Sequence, residues 1–209
     1  MAGAYRRGVA AAVAAVAVAA TIAALWLAPC LPAQAYASQP YPQTSEAPAQ
    51  LVAEGTIQAA FAPWDDAEGL IVGALADAQR EILVQAYLLT SKKIVGALRQ
   101  AQQRGVDVSV MVDAAQVTAL PLAQKQITAL RESGIAVWGE TAYANAHNKV
   151  IVIDAGSADA TLITGSYNFT WSAQHKNAEN ILILRGNAPL ALLYAANWER
   201  HRRTATLYD

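Results

Sequence analysis

The residues best suited to chemistry stand in three short runs. They are His147-Asn148-Lys149-Val150-Ile151-Val152-Ile153-Asp154, then Gly165-Ser166-Tyr167-Asn168, then Asn177-Ala178-Glu179-Asn180. On an extended strand residues two apart share a face, so His147 and Lys149 project together, held by the apolar run behind them. The glycine-serine turn adds a hydroxyl at Ser166 and an amide at Asn168. An imidazole, an ammonium, a hydroxyl and an amide, with no metal and no cofactor in the scheme, suit an anionic phosphoryl group. Lys149 supplies charge, Asn168 and Ser166 fix oxygens, and His147 attacks phosphorus or shuttles a proton. Ser166 has a second reading, because serine after glycine often only stabilises a turn. Asp154 lies seven residues from His147, an odd offset that turns it to the opposite face. It belongs to the catalytic motif as architecture, tying down neighbouring backbone. Glu179 is the candidate to hold the ring nitrogen remote from phosphorus; the alternative is a surface salt bridge.

These groups need elements to position them. Ile57, Ala59 and Phe61 alternate as a first strand. Asp65 precedes Glu68 by three, a capping pair for a helix with Leu70, Ile71, Ala74, Leu75 and Ala78 on one face. Ile82 to Leu89 is an apolar run of strand length, and Ser91 caps a helix that Gly105 stops. Val106 to Val112 alternates as a strand; a helix over Leu122 to Ser133 and a strand over Ile135 to Trp138 follow. Short strands at Lys149–Asp154, Thr161–Thr164 and Ile181–Leu184 come close together, before a helix over Pro189 to Arg203. The order predicts one α/β domain: a mixed, largely parallel β-sheet flanked by helices on both faces.

With 209 residues, 55% hydrophobic and 15% charged, the chain is neither disordered nor fibrous. A net charge of −1 excludes a strongly basic coat as the device for holding nucleic acid. Cys30 is the one cysteine, so an intrachain disulfide and a cysteine metal site are excluded. Arg6 and Arg7 precede an uncharged run from Gly8 to Ala28, and Ala33-Gln34-Ala35 offers a cleavage site. Residues 1–35 are therefore expected to be a signal peptide, with an uncleaved membrane anchor as the alternative, and the protein to be exported, periplasmic or secreted. Residues 36–51 form a flexible leader rich in Pro, Ser, Gln and Ala, and residues 52–209 the catalytic domain.

The pattern HxKxxxxD followed by GSxN closely resembles the phospholipase D superfamily. ILVQAYLLTSKKI, RGVDVSVMVD, GIAVW, AHNKVIVID, TGSYNFTWSA and KNAENILIL are similar to its small exported single-motif endonucleases, over roughly Gly55 to Arg203. Ten residues separate Asp154 from Gly165, more than is usual in the family; the surplus, Ala155 to Ala160, reads as a lengthened hairpin. The resemblance implies a phospholipase D-like fold and a two-step displacement. One histidine forms a phosphohistidine, and a second, from another motif copy, protonates the leaving oxygen and activates water. No second HxK exists here: His175 precedes Lys176 and Asn177, and His201 precedes Arg202 and Arg203. A homodimer with one composite site, joining His147, Lys149 and Asn168 of each subunit, is the expected solution.

The resemblance thus implies a metal-independent phosphodiesterase, a non-specific endonuclease that cuts DNA, with the choice between DNA and RNA left open. One alternative is hydrolysis of a phospholipid head group, with the N-terminal segment at the membrane. Another is a non-catalytic nucleic-acid-binding accessory of a DNA-transfer system. His175 and His201 are expected to be exposed. Trp64, Trp138, Trp171 and Trp198 could stack bases, core or dimer packing being the commoner use. Arg200, Arg202 and Arg203 answer first to the dipole of the helix they end, and Asp113 reads as a turn cap.

Overall fold

The computed structural model describes residues 48–209. The expected signal peptide or anchor, and nearly all of the leader, lie outside the described residues. The elements in order are β1 (Thr56–Ala62), α1 (Ala67–Asp77), β2 (Glu81–Ala86), α2 (Lys92–Gln103), β3 (Asp107–Asp113), α3 (Ala114–Ala119), α4 (Pro121–Arg131) and β4 (Ala136–Glu140). They continue with β5 (Lys149–Ile153), β6 (Thr161–Gly165), α5 (Trp171–His175), β7 (Glu179–Arg185), α6 (Ala188–Arg202) and β8 (Thr206–Leu207).

Among the described residues the strands form one sheet in the order β1-β7-β6-β5-β2-β3-β4-β8. The expected mixed sheet with helices on both faces is present. The emphasis on parallel pairing is corrected: only β2–β3 and β3–β4 are parallel, and every other pair is antiparallel. The reason is connection length. β5 and β6 are joined by the short hairpin Asp154–Ala160, which leaves no room for a crossover helix to return the chain in parallel. On one face α1, α2 and α4 seal Ile82, Val84, Val110, Ile151 and Ile163; on the other, α6 covers Leu83, Met111, Val152 and Leu162. Strands buried on both sides read as continuous apolar runs, as KVIVI does in β5. Among the described residues no helix is long and apolar enough to cross a membrane.

Several local expectations are corrected. β2 ends at Ala86, and Tyr87–Leu89 leaves the sheet to run beside Phe169. The α1 N-cap is Asp66, which accepts the Gly69 N–H; Asp65 instead accepts the Phe61 N–H, and Glu68 turns to Ser91 and Lys93. In β1 the alternation is real, and its larger apolar side chains point away from the core. Ala60 and Ala62 face the core, while Ile57 (63% exposed) and Phe61 (52%) face out. Period-two patterning does not say which face is buried, and α1 packs closely on the small alanines. Ser91 does cap α2, and Ala155–Ala160 does form the hairpin between antiparallel β5 and β6.

Candidate active site

The strand directions bring one set of ends together. Register pairs Ala86 with Lys149, Gly165 with Ile181 and Ala62 with Glu179. The start of β5, the end of β6 and the start of β7 therefore share one end of the sheet with the ends of β1 and β2. His147, Lys149, Ser166, Asn168 and Glu179 all belong to this end.

His147 and Lys149 project together, as their spacing predicts. Lys149 Nζ lies 2.9 Å from His147 Nδ1 and donates to the His147 carbonyl oxygen at 2.7 Å. Lys149 is buried, and burial lowers its pKa below the ordinary 10.5, with the nearby charge of Glu179 opposing that shift. Tyr87 packs on both groups, its ring centroid 4.4 Å from that of His147 and 4.9 Å from Lys149 Nζ. Sequence reasoning missed Tyr87. Its role follows from the β2–β5 pairing, which puts it directly after the partner of Lys149 and which no local pattern announces.

Beyond Gly165 the side chains alternate. Tyr167 and Phe169 are buried anchors, so Ser166 and Asn168 turn the other way. Backbone bonds from Phe169 N–H to Leu88 O (3.1 Å) and from Thr90 N–H to Phe169 O (2.9 Å) hold the turn. Gly165 has φ +154°, and a Cβ there would lie 2.2 Å from the Asn180 carbonyl oxygen, so no other residue fits. The Asn168 Oδ1 atom is buried without a hydrogen-bond partner, leaving its amide uncommitted.

Ser166 and Glu179 engage each other. Ser166 Oγ donates to Glu179 Oε2 at 2.6 Å and accepts the Asn180 N–H at 3.1 Å; Asn177 Nδ2 donates to Glu179 Oε1 at 3.0 Å. With these partners Ser166 serves the turn and the carboxylate. Glu179 reaches Lys149 electrostatically and makes no hydrogen bond to the His147 of its own chain. Its expected contact with an imidazole is thus absent within one protomer, where its two oxygens take Ser166 and Asn177.

Asp154 stands at the far end of β5. Its buried carboxylate accepts three consecutive backbone N–H groups, from Gln79 (2.9 Å), Arg80 (2.8 Å) and Glu81 (2.9 Å), and its φ is +52°. The motif aspartate is therefore architectural and at the opposite end of the sheet from His147. A cavity of about 710 Å³ beside it, lined by Asp77, Gln79, Arg80, Ser157 and Arg185, is likewise remote from His147. His175 is exposed as expected, but His201 is partly buried and paired with the buried Glu140. Trp198 is core, its Nε1 donating to Val84 O at 2.9 Å, and Trp138 packs under α6, whereas Trp64 and Trp171 are exposed. Among the described residues no three His, Cys, Asp or Glu side chains gather as metal donors.

Residues 71–202 match the family described as cardiolipin synthase, PLD-like domain. Phospholipase D of Rickettsia prowazekii is 34% identical over 156 residues, covering 74% of this chain and 71% of that protein. The chain belongs to the phospholipase D superfamily. It is a phosphodiesterase, a hydrolase of phosphodiester bonds. Phospholipase D of Rickettsia typhi is 36% identical over 144 residues, covering 68% of this chain and 66% of that protein. Mitochondrial cardiolipin hydrolase of Mus musculus is 30% identical over 130 residues, and there the match spans only 55% of the relative. Among solved structures, Nuc of Salmonella typhimurium, a phospholipase D family member, superimposes with a TM-score of 0.70. That likeness has 29% identity and covers 74% of this chain and 99% of Nuc.

Proposed function

We propose that this enzyme is an exported, metal-independent endonuclease that cleaves DNA, and RNA as a further substrate, through a phosphohistidine in a site shared by two chains. The observation that carries this reading is the pairing of one His147 with Lys149 at the sheet end, in a chain that has no second HxK. Lys149 as an ammonium makes Nδ1 the acceptor, so the neutral ring carries its proton on Nε2. A nucleophilic ring needs the other tautomer. An incoming phosphodiester anion competes for the Lys149 ammonium and frees Nδ1 for a carboxylate, the part expected of Glu179. Nε2 of one imidazole then bonds to phosphorus as the P–O ester bond breaks, and the second chain's ring, protonated on both nitrogens, gives its Nε2 proton to the leaving oxygen and becomes neutral. That second imidazole takes a proton from water; the resulting P–O bond displaces the first histidine. Lys149 and Asn168 hold the non-bridging oxygens.

Nucleic acid is favoured over lipid by the sequence resemblance to the single-motif endonucleases and by the likeness to Nuc along 99% of its length. The names of the curated relatives, phospholipase D and cardiolipin hydrolase, favour a phospholipid head group as the second reading. Purified wild-type and His147→Ala proteins assayed on plasmid, single-stranded DNA, RNA and cardiolipin vesicles, with and without EDTA, separate them. Chelator-resistant cutting of nucleic acid that His147→Ala abolishes is expected. Cleavage confined to vesicles would install the lipid reading, and full loss in EDTA would overturn the metal-independent chemistry.

A further inference from the structure

His147 is carried by residues 141–148, a segment without regular structure between β4 and β5. Its aim therefore depends on what holds its last few residues. Tyr87 contributes two ties, its N–H to Asn148 O at 2.9 Å and its hydroxyl to Asn145 Oδ1 at a long 3.4 Å. The third comes from Asp113, the last residue of β3. Its buried carboxylate accepts the Gln116 N–H on Oδ1 at 2.9 Å and the Ala146 N–H on Oδ2 at 2.8 Å.

The first of these bonds is an ordinary N-cap of α3, which Ser, Thr or Asn would satisfy equally well. The second has nothing to do with capping. Two acceptor oxygens aimed at two N–H groups are what a carboxylate supplies and an amide or hydroxyl does not. Ala146 is itself buried and adjoins His147 in the chain, so an unanswered N–H there would be left without water to compensate. We infer that Asp113 is a positioning residue for phosphoryl transfer, fixing His147 by holding the Ala146 N–H. Misplacement of a nucleophile by about 1 Å costs on the order of a hundredfold in rate, so this remote carboxylate acts on turnover rather than on substrate affinity.

The inference rests on His147 being the nucleophile, and the test separates the two. Hydrolysis of bis(4-nitrophenyl) phosphate is followed for wild type, His147→Ala, Asp113→Ser and Asp113→Asn, with amide hydrogen exchange on each. Asp113→Ser keeps a cap for α3 but loses the reach to Ala146; Asp113→Asn offers one oxygen for two N–H groups and serves if the serine variant fails to fold. The expected result is a kcat at least tenfold lower with KM within twofold of wild type. The Ala146 amide exchanges faster, while the β2, β3 and β5 amides keep their protection. An unchanged kcat, a loss confined to KM, or unchanged Ala146 exchange would overturn the inference. Equal hydrolysis by wild type and His147→Ala would instead remove the nucleophile assignment, leaving the exchange result to decide the role of Asp113.

Discussion

Lys149 and Asp154 share one motif and stand at the two ends of β5, yet do opposite work. Lys149 is a buried cation whose proton is lost more readily than that of an ordinary lysine, because burial penalises the charged form. Since the ammonium is the form that binds a phosphodiester, kcat/KM should fall on the alkaline side below pH 10.5. Glu179 raises the Lys149 pKa, so Glu179→Gln should move that limb to still lower pH, as a pH–rate profile will read. A limb that moved up would contradict the electrostatics. Asp154 makes no contact with the cleft. Asp154→Ala removes the acceptor of three backbone N–H groups and places alanine at φ +52°, which should cost about 2–4 kcal/mol in denaturant unfolding. Asp154→Asn should cost less, because asparagine tolerates that backbone and keeps one acceptor. Both variants, measured on folded protein, should retain kcat to within about threefold, as an architectural residue requires.

At the scale of elements, the GSYN turn is built by what it buries. Phe169→Ala should destabilise the fold by about 3–5 kcal/mol and loosen Asn168 with it, seen as lower unfolding midpoints and a raised KM. Much of this level was legible from pattern alone: β5 from its unbroken apolar run, α2 from Ser91, and the common face of His147 and Lys149 from their spacing. What escaped has a physical cause in each case. β1 showed its alternation but not its sense, since a period of two is blind to which side a helix will cover. α3, α5 and β8 are too short to carry a period. The second bond of Asp113, the pairing of His201 with Glu140 and the packing of Tyr87 on His147 join residues distant in sequence, which no local pattern encodes.

At the scale of the molecule, one chain supplies one imidazole, one ammonium and one uncommitted amide at an open sheet end. The proposed displacement uses two imidazoles, and on that reading a second copy completes the site. The sharpest check is to co-refold wild-type and His147→Ala chains at increasing proportions of the variant and measure phosphodiesterase activity per total chain. If both histidines act in one shared site, activity follows the square of the wild-type fraction, about one quarter at equal mixing. Activity linear in that fraction, about one half at equal mixing, would mean that each chain works alone and would contradict the account.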